Sequence, residues 1–110
     1  MKWEGSAAIC IQDNRLLMVY QGRDDEQKLW TVPSGGKEEN ESVGMCCLRE
    51  LEEETGYRGE IIEPLFVKKG HSFGYEVTVH YFLVRIIGGK AIIQDPDHFP
   101  KISRGFTVYL

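Results

Sequence analysis

Three glutamates with helical spacing, Glu50, Glu53 and Glu54, are the side chains in this sequence best suited to chemistry. In a helix, Glu50 and Glu54 stack one turn apart and Glu53 lies on the neighbouring edge. Arg49 lies one turn before Glu53 and can pair with it, but one arginine cannot neutralise three carboxylates. Because Mg²⁺ and Mn²⁺ prefer carboxylate and carbonyl oxygens, we predict Glu50 and Glu54 as metal ligands, with Glu53 joining or positioning them. Considered alone, the acidic run is more typical of a solvated charged face.

The segment from Gly35 to Tyr57 predicts the elements that position these carboxylates: a glycine loop, one helix and a glycine stop. Asn40 is the expected N-cap, Glu41 falls in the first turn, and Gly56 ends the helix. Residues at helical spacing form the predicted buried stripe, which comprises Gly44, Cys47, Leu48, Leu51 and Thr55.

The same segment resembles the signature of the Nudix hydrolases, G-x5-E-x7-R-E-U-x-E-E-x-G-U, where U is a bulky apolar residue. All the fixed positions match, and they are Gly35, Glu41, Arg49, Glu50, Glu53, Glu54 and Gly56. By average residue usage, such a match arises by chance on the order of once in 10⁸ windows. The preceding run also resembles the family's W-x-x-P-G-G approach, from which Ser34 departs, and Tyr57 is larger than the usual aliphatic residue.

The resemblance implies an α+β protein with the Nudix-type α/β/α sandwich around a mixed β-sheet. Residues 1–110 would form a single Nudix domain. A chain of this length is enough for one domain and one core. The family domain usually ends with a second helix, but no amphipathic helix is visible in the tail of this sequence, so we predict that the C-terminal helix is missing.

The resemblance also implies an activity, which is metal-dependent hydrolysis of a nucleoside diphosphate linked to another group. Glu50 and Glu54 would hold Mg²⁺ or Mn²⁺, with Glu53 as a further ligand or base and the Gly35 backbone carbonyl as an additional ligand. Arg49 would orient Glu53. Glu41 would cap the helix, complete the metal shell through water, or fix the glycine loop.

A second hypothesis is a Nudix-fold module that binds or senses a nucleotide without cleaving it, which the short tail favours. Two weaker substrate-binding candidates stand outside the signature. Arg23 could contact a phosphate or a base, although a solvated loop arginine is more typical. Trp30 could stack on a base or anchor the core or its rim. Candidates for a general base outside the signature are Glu76, Asp95, Asp97, His71 and His80, with His80 more typical of a packed or hydrogen-bonded residue.

Composition limits the partners and the compartment. The net charge of -4 and the lack of a basic stripe argue against a nucleic-acid polymer as partner. The three cysteines, Cys10, Cys46 and Cys47, lack the spacing of a disulfide framework and indicate a reducing compartment. No signal peptide or apolar run of membrane-spanning length is visible, so we expect a cytoplasmic protein that does not contact a membrane.

Apolar runs separated by turn residues predict six strands. They are Ser6–Gln12, Arg15–Tyr20, Leu29–Val32, Gly59–Lys68 with a bend near Pro64, Tyr75–Ile87 and Lys90–Gln94. Residues 68–74 are expected to form a loop, and the strand that begins at Tyr75 is expected to be central. The tail from Asp95 to Leu110 would form a strand or loop that covers the sheet poorly. Because an uncovered apolar face is an association surface, we expect a homodimer or a larger assembly.

Overall fold

The computed structural model describes residues 1–21, 29–90 and 107–109 of the chain. Within these residues the strands are β1 (Lys2–Ile9), β2 (Ile11–Gln12), β3 (Arg15–Leu16), β4 (Met18–Gln21), β5 (Leu29–Thr31), β6 (Ser34–Gly36), β7 (Tyr57–Ser72), β8 (Tyr75–Gly89) and β9 (Thr107–Tyr109). The one helix of the described part, α1 (Val43–Thr55), lies between β6 and β7.

The main sheet is mixed and has the strand order β6-β1-β8-β7. β1 pairs in parallel with β8 and antiparallel with β6, and β8 pairs antiparallel with β7. A second sheet has the order β5-β4-β9, and β2 and β3 form a short hairpin. The α+β class with a mixed sheet is therefore confirmed, and β8 is central as expected.

The core lies between α1 and the main sheet. Its buried members are Ala8, Cys10, Leu17, Cys47, Leu51, Phe82 and Val84. The predicted helical stripe is confirmed at Cys47, Leu51 and Thr55, which are buried, whereas Gly44 and Leu48 are only partly buried. Cys46 and Glu54 are also buried, so the inward face of α1 is wider than its apolar residues indicate.

The start of α1 differs from the prediction. Ser42, not Asn40, is the N-cap, and its hydroxyl accepts a hydrogen bond from the Met45 amide at 3.1 Å. Glu41 precedes the cap and is not in the first turn. A tertiary contact accompanies this start, because the Ser6 hydroxyl donates to the Val43 carbonyl at 2.7 Å. The predicted end is confirmed: Gly56 adopts a left-handed conformation with φ of 82°.

Several strand boundaries also differ from the predictions. Gly35 and Gly36 belong to β6 and pair with Ser6 and Gly5 of β1, so the predicted glycine loop is wrong at these positions. Residues 68–72 continue β7 instead of forming a loop, because they pair with β8 almost to the hairpin tip. The bend near Pro64 is confirmed by register shifts between Ile61 and Glu63 and between Pro64 and Phe66.

The remaining differences concern the two ends of the chain. β1 begins at Lys2, earlier than predicted, and is separated from β2 after Ile9. Lys90 lies outside β8, and the remainder of the predicted strand Lys90–Gln94 lies outside the described residues. Most of the tail also lies outside them, but β9 supplies a strand there that pairs with β4.

Candidate active site

Strand β6 forms one wall of the candidate site, and Gly35 is the residue that lets α1 approach it. A Cβ atom added at Gly35 would overlap the carboxylate of Glu50. Hydrogen, the side chain of glycine, is therefore required for this carboxylate to lie against the strand. The Gly35 carbonyl oxygen also accepts a weak hydrogen bond from the Cys46 thiol, with 3.5 Å between sulfur and oxygen. Helix and strand thus meet at this glycine.

Glu54 meets the same strand one helical turn further along α1. Its side chain is buried, with only 4% of the residue exposed, and Oε1 accepts a hydrogen bond from the Ser34 amide at 3.3 Å. Burial of a carboxylate is costly unless hydrogen bonds or cations compensate for the lost water. Glu50 and Glu54, one turn apart in α1, therefore both lie against β6, the first at Gly35 and the second at Ser34.

Arg49 joins the carboxylates of α1 to the segment before the helix. Nε and Nη2 bind the two carboxylate oxygens of Glu41 at 3.0 and 2.6 Å, which is a bidentate pair. Nη2 also donates to the Gly36 carbonyl at 2.9 Å. Nη1 donates to Glu50 Oε1 at 2.9 Å and to Glu53 Oε2 at 3.2 Å. The predicted pair of Arg49 with Glu53 is present, but the strongest geometry belongs to Glu41.

Glu41 fixes the segment between β6 and α1. Besides binding Arg49, its Oε1 accepts a hydrogen bond from the Glu38 amide at 2.9 Å. The hydrogen bonds from Arg49 and from this amide lower the pKa of the Glu41 carboxyl from an ordinary 4.5 to about 2. Hydrogen bonds to the carboxylates of Glu41, Glu50 and Glu53 raise the pKa of the Arg49 guanidinium above its usual value. Both groups are therefore charged at neutral pH.

The other predicted site residues are more dispersed. The Glu53 side chain is 57% exposed and is tethered by Arg49. Trp30 lies on the second sheet, is 46% exposed, and packs against Tyr20 with ring centroids 5.1 Å apart. Arg23 lies outside the described residues.

Three of the candidate general bases outside the signature, His71, Glu76 and His80, lie in the described residues. His80 makes a hydrogen-bonded pair with Glu4 at 2.8 Å, as predicted for a hydrogen-bonded histidine. His71 and Glu76 line a cavity of about 470 Å³ over the first residues of β1, together with Lys2 and Lys69. Asp95 and Asp97 lie outside the described residues.

Sequence reasoning missed the part that β1 plays in the site. Gly5 lies opposite Gly36, and Trp3 packs over both glycines from the face of the sheet away from α1. A weak signal was present, since a glycine inside a strand often marks the close approach of another group. The pairing of β1 with β6 shows which groups approach Gly5: they are the Trp3 ring and the Gly35 carbonyl.

The donor set fits a hard divalent cation. Glu50, Glu54 and the Gly35 carbonyl supply the oxygen ligands that Mg²⁺ and Mn²⁺ prefer. The Glu50 carboxylate packs against the backbone of Gly35, at the position a Cβ atom would occupy. Within the described residues, no group of three or more His, Cys, Asp or Glu side chains is arranged to hold a metal ion. Arg49 donates hydrogen bonds to the carboxylates of both Glu50 and Glu53. Burial raises the pKa of the Cys46 thiol, which disfavours a thiolate ligand.

No helix in the described part of the chain is both long and apolar enough to span a bilayer.

Comparison with known proteins gives a consistent family and fold. The family model described as "NUDIX domain" matches residues 2–107. Methanol dehydrogenase activator of Bacillus methanolicus is 42% identical over 91 residues, which cover 79% of this chain and 49% of that protein. RNA pyrophosphohydrolase of Sphingopyxis alaskensis is 30% identical over 79 residues, which cover 72% of this chain and 48% of that protein. The chain thus spans less than half the length of either curated relative.

A solved structure shows the same fold over nearly the whole chain. The MutT NUDIX hydrolase from Burkholderia pseudomallei superposes with a TM-score of 0.75 at 25% sequence identity, covering 97% of this chain and 83% of that one. The fold of the described elements is therefore shared with this hydrolase.

Proposed function

Because this chain belongs to the Nudix family, we propose that it hydrolyses a pyrophosphate bond in a nucleoside diphosphate linked to another group, with Mg²⁺ or Mn²⁺ as cofactor. The observation that carries this proposal is the meeting of Glu50 and Glu54 with β6. Two carboxylates from one helical face lie against a strand whose Gly35 has no side chain to exclude them. This arrangement gathers oxygen donors beside a backbone carbonyl, which suits a divalent cation and a diphosphate.

Each signature residue has a distinct role in this proposal. Glu50, Glu54 and the Gly35 carbonyl would hold the cation, which when bound neutralises charge on the diphosphate oxygens. Arg49 orients Glu53 and ties α1 to the segment that carries Glu41.

Glu53 is the proposed proton acceptor, because its carboxylate is exposed and its position is fixed by Arg49. The attacking water forms a bond from its oxygen to one phosphorus and loses its proton to Glu53. The bond from that phosphorus to the bridging oxygen breaks, and the electron pair leaves with the second phosphate.

Substitution of Glu54 by glutamine tests the role of the metal-holding carboxylate against a matched control on the same helix. Glu54→Gln keeps the shape of the side chain but removes its charge, so we expect turnover with Mg²⁺ to fall by about 10²-fold or more. Glu52→Gln removes a charge from an exposed position on α1 and should leave turnover within about twofold. Release of phosphate or nucleoside monophosphate is the measurement, and equal turnover in the Glu54→Gln variant and the unmodified protein would contradict the assignment.

The substrate panel for this assay should cover several classes. Nucleoside triphosphates, dinucleotides, nucleotide sugars and ADP-ribose all contain the required diphosphate. RNA with a 5′-triphosphate belongs in the panel because one relative is named an RNA pyrophosphohydrolase. The acidic net charge of -4 leads us to propose a small nucleotide instead of a polymer.

One observation favours the alternative, a nucleotide-binding module that does not cleave. Arg49 occupies oxygens of both Glu50 and Glu53, so the carboxylates of α1 are neutralised in part without a metal. Nucleotide binding by calorimetry with no product released from any member of the panel would support this function over hydrolysis.

A homodimer remains our proposal for the assembly, and a reducing compartment such as the cytoplasm remains our proposal for the location. Apolar side chains along β7 support self-association, since Phe66 is 54% exposed and Ile62 is 51% exposed. All three cysteines are free and buried, as expected where thiols stay reduced. Sedimentation velocity at micromolar concentration should give the mass of two chains, and a single species at the mass of one chain would contradict the dimer.

A further inference from the structure

The paired strands β1 and β6 contain three glycines where the candidate metal site lies against them. Gly5 of β1 faces Gly36 of β6, and the next pair along is Ser6 with Gly35. Side chains of neighbouring positions alternate between the two faces of a sheet. Gly35 therefore opens one face, where Glu50 lies, and Gly36 opens the opposite face.

The indole of Trp3 fills the space that these glycines leave on the face away from α1. A Cβ atom added at Gly36 would lie 3.2 Å from Trp3 Nε1 and 3.3 Å from Cζ2. A Cβ atom added at Gly5 would overlap both the Trp3 ring and the Gly35 carbonyl oxygen. Trp3 is 39% exposed, so part of its surface is turned to solvent while the remainder packs against the glycine backbone.

Strand β6 is thus held between an aromatic ring and a set of charged side chains. On the α1 side, Glu50 packs against Gly35 and Arg49 donates to the Gly36 carbonyl. On the other side, the nearest side-chain atoms at Gly5 and Gly36 are those of the Trp3 ring. A strand of three residues at the edge of a sheet has few contacts of its own to resist displacement, and bulky support fixes its position.

We propose that Trp3 is a positioning residue for the proposed metal site, and that it acts through Gly5 and Gly36 to fix the position of the Gly35 carbonyl. This inference rests on the proposed function, because it assigns to Trp3 the support of a ligand that the proposed function names. Trp3 touches neither substrate nor metal in this role. Supporting contacts around metal ligands commonly change metal affinity by about 10- to 100-fold when they are lost.

Manganese binding to the full chain without nucleotide provides the test. The affinity for Mn²⁺ is measured by electron paramagnetic resonance of the free ion for the unmodified protein and its Trp3→Leu, Trp3→Phe and Glu54→Gln variants. We expect Trp3→Leu to weaken binding about tenfold and Trp3→Phe to weaken it less, because the smaller ring keeps part of the support. Far-ultraviolet circular dichroism checks that each variant is folded.

Phe66→Leu is the matched control for loss of an aromatic ring from the same sheet. Phe66 is 54% exposed and stacks on Tyr81 with centroids 4.4 Å apart, away from the glycine pair. We expect its Mn²⁺ affinity to equal that of the unmodified protein. A loss in Phe66→Leu as large as that in Trp3→Leu would overturn the inference, because the effect would then be a general loosening of the sheet.

A double-mutant cycle tests the path through Gly36. Gly36→Ala places a methyl group against the indole, so it should weaken Mn²⁺ binding in the unmodified protein and weaken it less in the Trp3→Leu background. Equal effects in both backgrounds would overturn the proposed contact.

The outcomes separate failure of the inference from failure of the proposed function. Equal Mn²⁺ binding by Glu54→Gln and the unmodified protein would overturn the metal site itself, and the inference with it. Loss of binding in Glu54→Gln, with Trp3→Leu equal to the unmodified protein, would overturn the inference alone.

A fluorescence measurement decides the matter if Trp3→Leu does not fold. In a full-length Trp30→Phe variant, Trp3 is the only tryptophan left, since the chain has two. We expect saturating Mg²⁺ to shift the Trp3 emission, because the ring rests on the strand that carries the metal-binding carbonyl. Unchanged emission, while calorimetry shows that Mg²⁺ binds, would overturn the inference.

Discussion

At the scale of single residues, the carboxylates near β6 have different environments although they are chemically alike. Glu54 is buried and accepts a hydrogen bond from the Ser34 amide. Glu53 is exposed, and Glu41 forms the bidentate pair with Arg49. The hydrogen bonds to Glu41 lower its pKa to about 2. Sequence alone places these residues on the chain but does not rank their environments, because burial and partners depend on tertiary contacts.

The lowered pKa of Glu41 predicts a pH dependence of stability. A carboxyl group whose pKa is lowered on folding stabilises the protein fully above its unfolded pKa, and this stabilisation is lost as the pH falls through the folded pKa. For Glu41 the loss runs from about pH 4.5 down to about pH 2. Glu41→Gln should therefore lower the midpoint of unfolding at pH 7, and its difference from the unmodified protein should shrink as the pH falls through this range.

Urea unfolding at several pH values is the measurement for Glu41, and Glu39→Gln is the control. Glu39 is exposed and lies two positions away in the same segment, so its substitution should change stability little at any pH. If the difference in unfolding free energy between Glu41→Gln and the unmodified protein grew on acidification, the lowered pKa of Glu41 would be contradicted.

At the scale of elements, the beginning of α1 shows where local patterns suffice and where they fail. The stripe with Cys47, Leu51 and Thr55 and the stop at Gly56 follow from helical periodicity and from the left-handed conformation that glycine adopts easily. Asn40 and Ser42 are both good caps by type. The contact between Ser6 and Val43 joins residues far apart in sequence, so no local pattern distinguishes the two positions.

Removal of each candidate cap tests this boundary. Ser42→Ala should destabilise the protein by about 1 kcal/mol, because the Met45 amide loses its acceptor. Asn40→Ala should change the free energy of unfolding by less than about 0.5 kcal/mol, since Asn40 is exposed and lies outside the helix. Chemical denaturation of the two variants measures both values, and a larger loss for Asn40→Ala would place the helix start where the sequence suggested.

The predicted loops failed for a related reason. Glycines and charged residues favour loops when considered locally, yet Gly35 and Gly36 pair with β1, and Lys68 and Lys69 pair with β8. Backbone hydrogen bonds to a neighbouring strand outweigh these local preferences. The longer strands were predictable from apolar runs, whereas β6, which has no apolar run, and the ends of the other strands depended on which neighbour continued the pairing.

At the scale of the whole molecule, the thiols report on the integrity of the core. Cys10, Cys46 and Cys47 are all buried, and burial raises the pKa of Cys10 to about 11 and that of Cys47 to about 12. Because the thiolate is the reactive form, the folded protein should react slowly with a thiol-specific reagent at pH 8. We expect labelling to become fast only in denaturant. The absorbance of the chromophore released by the reagent measures the labelling rate. Rapid labelling of all three thiols under native conditions would mean that the core opens readily.

The parallel pairing of β1 with β8 has a consequence for folding during translation. Gly5 pairs with Val79, and β1 fills the space between β6 and β8. During translation β1 leaves the ribosome long before β8 exists, so the nascent chain carries an unfinished sheet until its last central strand emerges. A ribosome that stalls before β8 would therefore present a chaperone with a β1 strand that has β6 on one edge and no partner on the other.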